Sequence, residues 1–182
     1  AGFSKKGIAY IGVTRDDKAA GAAREDGFIA GLKNTGITLL EENKRTSAFT
    51  LESGYEAALD LLESKCDIDV ISCATDTIAA GAIEAIQTYL KKQVPANAAD
   101  AGARMRYILE NTSIRVTGFG DNQMLKAVTG GIPTIHFGYK TSGIRGAELL
   151  LDSIERGEQI PIEMKLGFHL VGTDLSDSEN HT

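Results

Sequence analysis

The residues best suited to chemistry sit at a strand-to-helix turn. Val70-Ile-Ser-Cys-Ala74 is a short apolar run that ends in Thr75-Asp76, and the small-residue run Thr77-Ile-Ala-Ala-Gly-Ala82 follows at once. In an open parallel sheet, ligands bind at the carboxyl ends of the strands. Thr75 puts a hydroxyl at such a turn. Asp76 reads first as a helix cap, its carboxylate accepting from free backbone N–H groups at the positive end of the helix dipole. Arg24 carries a planar fork of donors that matches two neighbouring hydroxyls, which Lys cannot reproduce. On a helix it also reads as a solvated charge. Phe49 follows a polar run and is either a core residue or a platform for the C–H face of a ring.

Other chemistries find little support. No Ser-His-Asp grouping follows from the spacings, and neither Cys has a credible His partner. Gly118-Phe-Gly120 is a lone Gly-x-Gly without the further glycine or lysine of a nucleotide loop. Cys66 and Cys73 lie at or near strands and read as buried thiols. His136, His169 and His181 are scattered and form no cluster, so no metal site is expected. No catalytic residue and no cofactor is expected either. The net charge of −6 argues against binding a phosphate backbone through this chain. No apolar run approaches the roughly 18 residues of a membrane span, and the first residues, Ala-Gly-Phe-Ser-Lys-Lys, are not signal-like. A cytoplasmic protein with no membrane partner is the expectation.

The elements that would position these residues alternate. Residues 7–14, 37–40, 69–74, 114–119, 133–137 and 164–171 read as strands, from short β-branched runs bounded by turn signals. Residues 19–33 read as a helix with a stripe of Ala22, Phe28, Ile29 and Leu32, stopped by Asn34-Thr-Gly36. A second helix starts at Thr50 or Ser53, and a third spans 77–92. An added helix falls within 93–112. A last one covers 141–156, with Ile144, Ala147, Leu150, Leu151 and Ile154 expected to face inward. Residues 174–182 are a polar tail. Alternating strands and helices imply an α/β fold with a parallel, doubly wound sheet.

These segments, in this order, resemble the effector-binding domain of LacI/GalR-type bacterial repressors. The likeness is carried by Ile8-Ala-Tyr-Ile-Gly12 with the loop 13–23 and Arg24-Glu-Asp-Gly-Phe28. It continues through Phe49-Thr-Leu-Glu-Ser-Gly-Tyr55, Thr75-Asp76, and Thr117-Gly-Phe-Gly-Asp-Asn122. It ends with Ile132-Pro-Thr-Ile-His-Phe-Gly-Tyr-Lys-Thr-Ser-Gly143 and the helix after it. One departure stands out: Gly120 occupies the place of an acidic ligand contact, so that Asp121 or Asn122 takes over or the contact is lost. Within the family the wording is nearest to repressors of sucrose or trehalose operons.

The resemblance implies a periplasmic-binding-protein-like fold, here the second lobe and part of the first. Residues 1–133 would form the C-terminal lobe of the effector-binding domain, 134–160 the hinge crossing and a first-lobe helix, 161–175 the return strand and 176–182 a flexible tail. It implies a non-enzymatic sensor that binds a small sugar between its lobes, a disaccharide with or without a phosphate. Lys18, Arg24, Phe49, Thr75, Asp121, Phe137 and Tyr139 would line that site, with Arg15 as a further cation in the first pocket loop. Phe137 and Tyr139 suit a larger ring-shaped ligand, or interlobe packing. Operator DNA would be bound by an N-terminal helix-turn-helix preceding Ala1, in a homodimer with contacts near 122–128. A solute-binding protein of a sugar transporter shares the fold and is the alternative.

Overall fold

The computed structural model describes residues 7–64, 67–90, 100–157 and 161–172. Four parallel strands form its main sheet: β1 (Ile8–Val13), β2 (Lys44–Ser47), β3 (Val70–Cys73) and β4 (Arg115–Thr117). Their order is β2-β1-β3-β4. The registers are parallel, with Ile11 facing Arg45 on one side and Cys73 on the other. The helices are α1 (Arg24–Asn34), α2 (Leu51–Glu63), α3 (Asp76–Leu90), α4 (Ala101–Asn111), α5 (Gln123–Thr129) and α6 (Tyr139–Arg156). The chain therefore forms the expected periplasmic-binding-protein-like α/β fold. Right-handed crossovers put α1 on one face of the sheet and α2 and α3 on the other.

The core lies between the sheet and the α2–α3 pair. Ile11, Leu61, Leu62, Ile71, Ile78, Ile83 and Ile86 are its fully buried large side chains. α2 starts where Thr50 caps it, the Thr50 hydroxyl accepting from Ser53 N–H at 3.2 Å. α2 and α3 cross at backbone contact, because a Cβ on Gly81 would lie 2.2 Å from the Leu51 carbonyl oxygen. Only glycine permits that approach. The other face is thinner. α1 buries no residue fully; Phe28, Ile29 and Leu32 are partly buried against the core.

Several expectations are corrected. Residues 37–40 are not a strand; a 3-10 turn at Glu41–Asn43 precedes β2. The apolar run looked like a strand, but the edge position needs only backbone pairing, and a polar edge discourages pairing with other chains. Asn43 is buried and donates to the Ile8 carbonyl at 3.1 Å, which sets where pairing begins. The helix expected at 19–33 is split into a π-helical segment, Lys18–Ala23, and α1. Asp17 caps the first, accepting from Ala19 and Ala20 N–H. The last strand is shorter than 164–171. Cys73 is buried and its thiol pKa is raised, chiefly by burial. Cys66, residues 91–99 and the tail 174–182 lie outside the described residues.

The remaining two strands form a separate antiparallel ribbon, β5 (Thr134–Phe137) with β6 (Phe168–Val171). It is tied to the main sheet layer by Gly118 N–H to Pro133 O and Gly120 N–H to Ile135 O, both 2.9 Å. The largest correction concerns α6, which the ribbon carries. Ile144, Leu150, Leu151 and Ile154 are 48 to 67 % exposed, and no α6 residue is buried. Periodicity showed an apolar stripe; it could not show what covers it.

Candidate functional site

The carboxyl ends of β1, β3 and β4 converge with β5 on a cavity of about 810 Å³. Arg24, Phe119, Phe137, Tyr10, Phe28 and Leu32 stand among its walls. Arg24 opens α1. Its Nη1 donates to the Ala74 carbonyl at 2.6 Å, and its guanidinium carbon sits 4.0 Å from the centroid of the Phe119 ring. Among the described residues a carbonyl and a ring face hold it and no carboxylate pairs with it. Burial lowers its pKa from the usual arginine value, opposed by Tyr139, Tyr10, Asp17 and Asp76. Phe119 also packs on Phe137 at 4.9 Å between centroids. The arrangement is a half-buried cation with spare donors beside two aromatic faces, the chemistry that recognises vicinal hydroxyls on an apolar ring.

The expected site residues divide into two groups. Arg24 and Phe137 line the cavity; Lys18, Phe49, Thr75, Asp121 and Tyr139 do not. Lys18 is exposed at the start of the π-helical segment. Phe49 is 49 % exposed on the β2–α2 loop and is not a core residue. Tyr139 is half exposed, donates its hydroxyl to the Gly120 carbonyl at 3.2 Å, and stands edge-on to Phe137. Arg15 is engaged with Glu25 and Asp26 at 3.2 and 2.9 Å.

Thr75 takes the capping role expected of Asp76. The Thr75 hydroxyl accepts from Ile78 N–H at 3.2 Å and so caps α3. Asp76 is buried, with Oδ2 accepting from Asn122 N–H at 2.6 Å and Oδ1 from the Thr134 hydroxyl at 2.7 Å. It ties the start of α3 to the 119–122 loop and to β5. The cap went to Thr75 because it lies one residue earlier, outside the helix.

The departure at Gly120 has a backbone cause. Its φ is +134°, which L side chains rarely adopt, and Asp121 follows at φ +52°. That turn aims the Asp121 carboxylate at the imidazole of His136, Nδ1 to Oδ2 2.9 Å, rather than into the cavity. The histidines are not all scattered, as the spacing had implied: His136 and His169 face each other across β5–β6. Sequence reasoning also missed Phe119 and Tyr10. Phe119 lies just past the end of β4, between Gly118 and Gly120, a place where an aromatic signals a strand-end wall. Tyr10 alternates into the buried strand; among the described residues its hydroxyl finds no hydrogen-bond partner. Burial, then Glu25, pushes its pKa up to about 12.

A Gly-rich turn, a strand-end cavity and a crossing ribbon define a periplasmic-binding-protein-like α/β fold. The chain belongs to the family of periplasmic binding proteins and sugar-binding domains of the LacI family, whose model matches residues 1–165. The sucrose operon repressor of Staphylococcus xylosus is 28 % identical over 136 residues, 75 % of this chain and 36 % of the repressor. The transcriptional regulator CelR in complex with cellobiose superposes with TM-score 0.73 at 23 % identity, over 91 % of this chain and 45 % of that one. The trehalose repressor of Escherichia coli superposes with TM-score 0.66 at 21 % identity, over 91 % and 55 %. The chain thus spans about a third to a half of the length of these relatives. Among the described residues no helix is long and apolar enough to cross a membrane, and no group of three or more His, Cys, Asp or Glu is placed to hold a metal ion.

Proposed function

We propose that this chain is the effector-sensing part of a LacI-type transcriptional regulator and binds a small sugar, most simply a disaccharide such as sucrose or trehalose. The observation that carries this is Arg24. A guanidinium held between the Ala74 carbonyl and the Phe119 ring keeps donors free at the strand ends, in a chain of this family. Phe119 and Phe137 supply the apolar walls, with Tyr139 at the mouth. Lys18, Phe49 and Thr75 stand on the neighbouring strand-end loops and would join the site from its rim. Because Arg15 is spent on Glu25 and Asp26, Lys18 is the residue in that loop left to meet a phosphorylated sugar.

Residues 1–133 would then be one lobe, and α6 would belong to the other, reached through β5 and left through β6. The exposed stripe of α6 fits this division, since a face of that kind needs a partner layer. Sugar binding would shift the angle between lobes. An effector changes DNA affinity only as far as it prefers one lobe arrangement. DNA contact would fall to a helix-turn-helix in the N-terminal part of the protein, in a homodimer, with α5 and its exposed Met124 a candidate contact. The family also holds periplasmic binding proteins, so a solute-binding protein is the second reading. The gene sequence upstream decides between them.

Calorimetric titration of the full protein with sucrose, trehalose, their 6-phosphates, glucose and fructose tests the ligand. Saturable binding of one disaccharide, weakened by about 1–3 kcal/mol in Arg24→Ala, is expected. Binding that Arg24→Ala leaves unchanged, in folded protein, would remove Arg24 from the site. No binding by any of the six would remove the disaccharide reading.

A further inference from the structure

We propose that His136 and His169 form a two-histidine site for a divalent transition-metal ion of the zinc, nickel and copper group on the β5–β6 ribbon. The antiparallel register sets the two residues directly opposite each other. Directly opposed residues leave the same face of a ribbon, with Cβ atoms about 5 Å apart. The rings lie 22° from parallel with centroids 6.4 Å apart. With His136 held by Asp121, bridging them with an ion at about 2.0–2.1 Å from each ligand nitrogen needs rotation of the His169 ring toward His136. His169 has room to turn, being exposed, and the His136 side chain is 38 % exposed.

Asp121 completes the argument. Its Oδ2 lies 2.9 Å from Nδ1 of His136. An ionised carboxylate only accepts, so the proton resides on Nδ1, and Nε2 keeps its lone pair for a ligand. A carboxylate behind a ligating imidazole fixes the ring and raises its basicity, as in many metal sites. The Asp121 side chain is itself only 10 % exposed, and the Gln123 amide donates to the same oxygen at 3.2 Å. Tyr139 packs edge-on against the His136 ring at 5.8 Å. The largely buried carboxylate therefore backs the imidazole at Nδ1.

Two imidazoles select borderline ions over magnesium or calcium, which prefer oxygen. With two protein ligands the remaining positions fall to water, so the site is open and its affinity micromolar rather than tighter. An ion held there would staple β5 to β6, the two strands through which the chain enters and leaves α6. This inference stands apart from the sugar-binding reading, because neither histidine lines the cavity at Arg24.

The test is calorimetric titration of chelator-treated 182-residue protein with Zn²⁺, and separately with Ni²⁺. One ion per chain is expected. His169→Ala should abolish that binding, and Asp121→Asn should weaken it about 10–100-fold. His181→Ala, in the tail, should leave affinity unchanged. His169 is exposed, so its variant is expected to keep the fold, checked by circular dichroism. Absence of binding by both ions overturns the proposal. So does binding that survives His169→Ala, or that disappears in His181→Ala.

Discussion

Asp76 is the residue whose removal should test this structure most sharply. Its two carboxylate oxygens accept from Asn122 N–H at 2.6 Å and from the Thr134 hydroxyl at 2.7 Å. Asp76 is 4 % exposed and Thr134 7 %. Asp76→Ala leaves a backbone donor and a hydroxyl without their acceptor in a place water reaches poorly. Hydrogen bonds to a charged group contribute about 1.5–3 kcal/mol each, and neighbouring bonds do not add fully. A loss of about 3 kcal/mol is expected. For a chain of this size that is a fall in Tm of roughly 6–12 °C. Asp76→Asn keeps one acceptor, and the Thr134 hydroxyl can turn to accept from the new amide, so about 1–2 kcal/mol is expected there. Urea unfolding reads both values, with unchanged slope if only the native state is affected. Amide exchange at Asn122 should speed up in both variants, more in Asp76→Ala. If both variants lie within about 0.5 kcal/mol of the parent, the surface range, Asp76 is not the tie between α3, the 119–122 loop and β5.

Tyr10→Phe removes a buried hydroxyl that has no partner among the described residues, so stability at neutral pH should hold or rise by up to about 1–2 kcal/mol in urea unfolding. The same residue gives a pH signature. Its pKa is raised from 10.0 to about 12 in the folded chain. The unfolded chain therefore loses that proton first, and stability contributed by the neutral phenol is complete below about 10 and is lost as pH rises toward about 12. That slope should be smaller in Tyr10→Phe, and an equal slope would refute the assignment. Gly81→Ala would place a Cβ 2.2 Å from the Leu51 carbonyl oxygen and 2.5 Å from Tyr55 N. A loss of about 1–3 kcal/mol is expected, and thermal unfolding unchanged by it would deny the close helix crossing. Leu150→Ala and Ile154→Ala should change the stability of this 182-residue chain by less than about 0.5 kcal/mol. In a longer protein that includes the other lobe, the same changes should cost about 2 kcal/mol or more, and equal small effects in both would count against placing α6 there.

Residue types and local spacing determined the alternation of strand and helix, the Thr50 start of α2, and the cluster of strand-end motifs that includes Arg24. Those features rest on contacts within a few residues, where periodicity and capping speak directly. The tertiary structure alone decided the rest. It chose polar Lys44–Ser47 over apolar 37–40 as the edge strand, because pairing beside β1 depends on backbone register and not on local hydrophobicity. It joined Asp76 to Asn122 and Thr134, 46 and 58 residues away in the chain. It turned Asp121 from the cavity to His136 through two unusual backbone angles, and it set His136 opposite His169. A stretch of sequence displays which side chains it carries and how they repeat. Which distant groups meet, and which apolar face finds a cover, is settled only when the chain closes on itself, since those contacts repay loop entropy that no local pattern records.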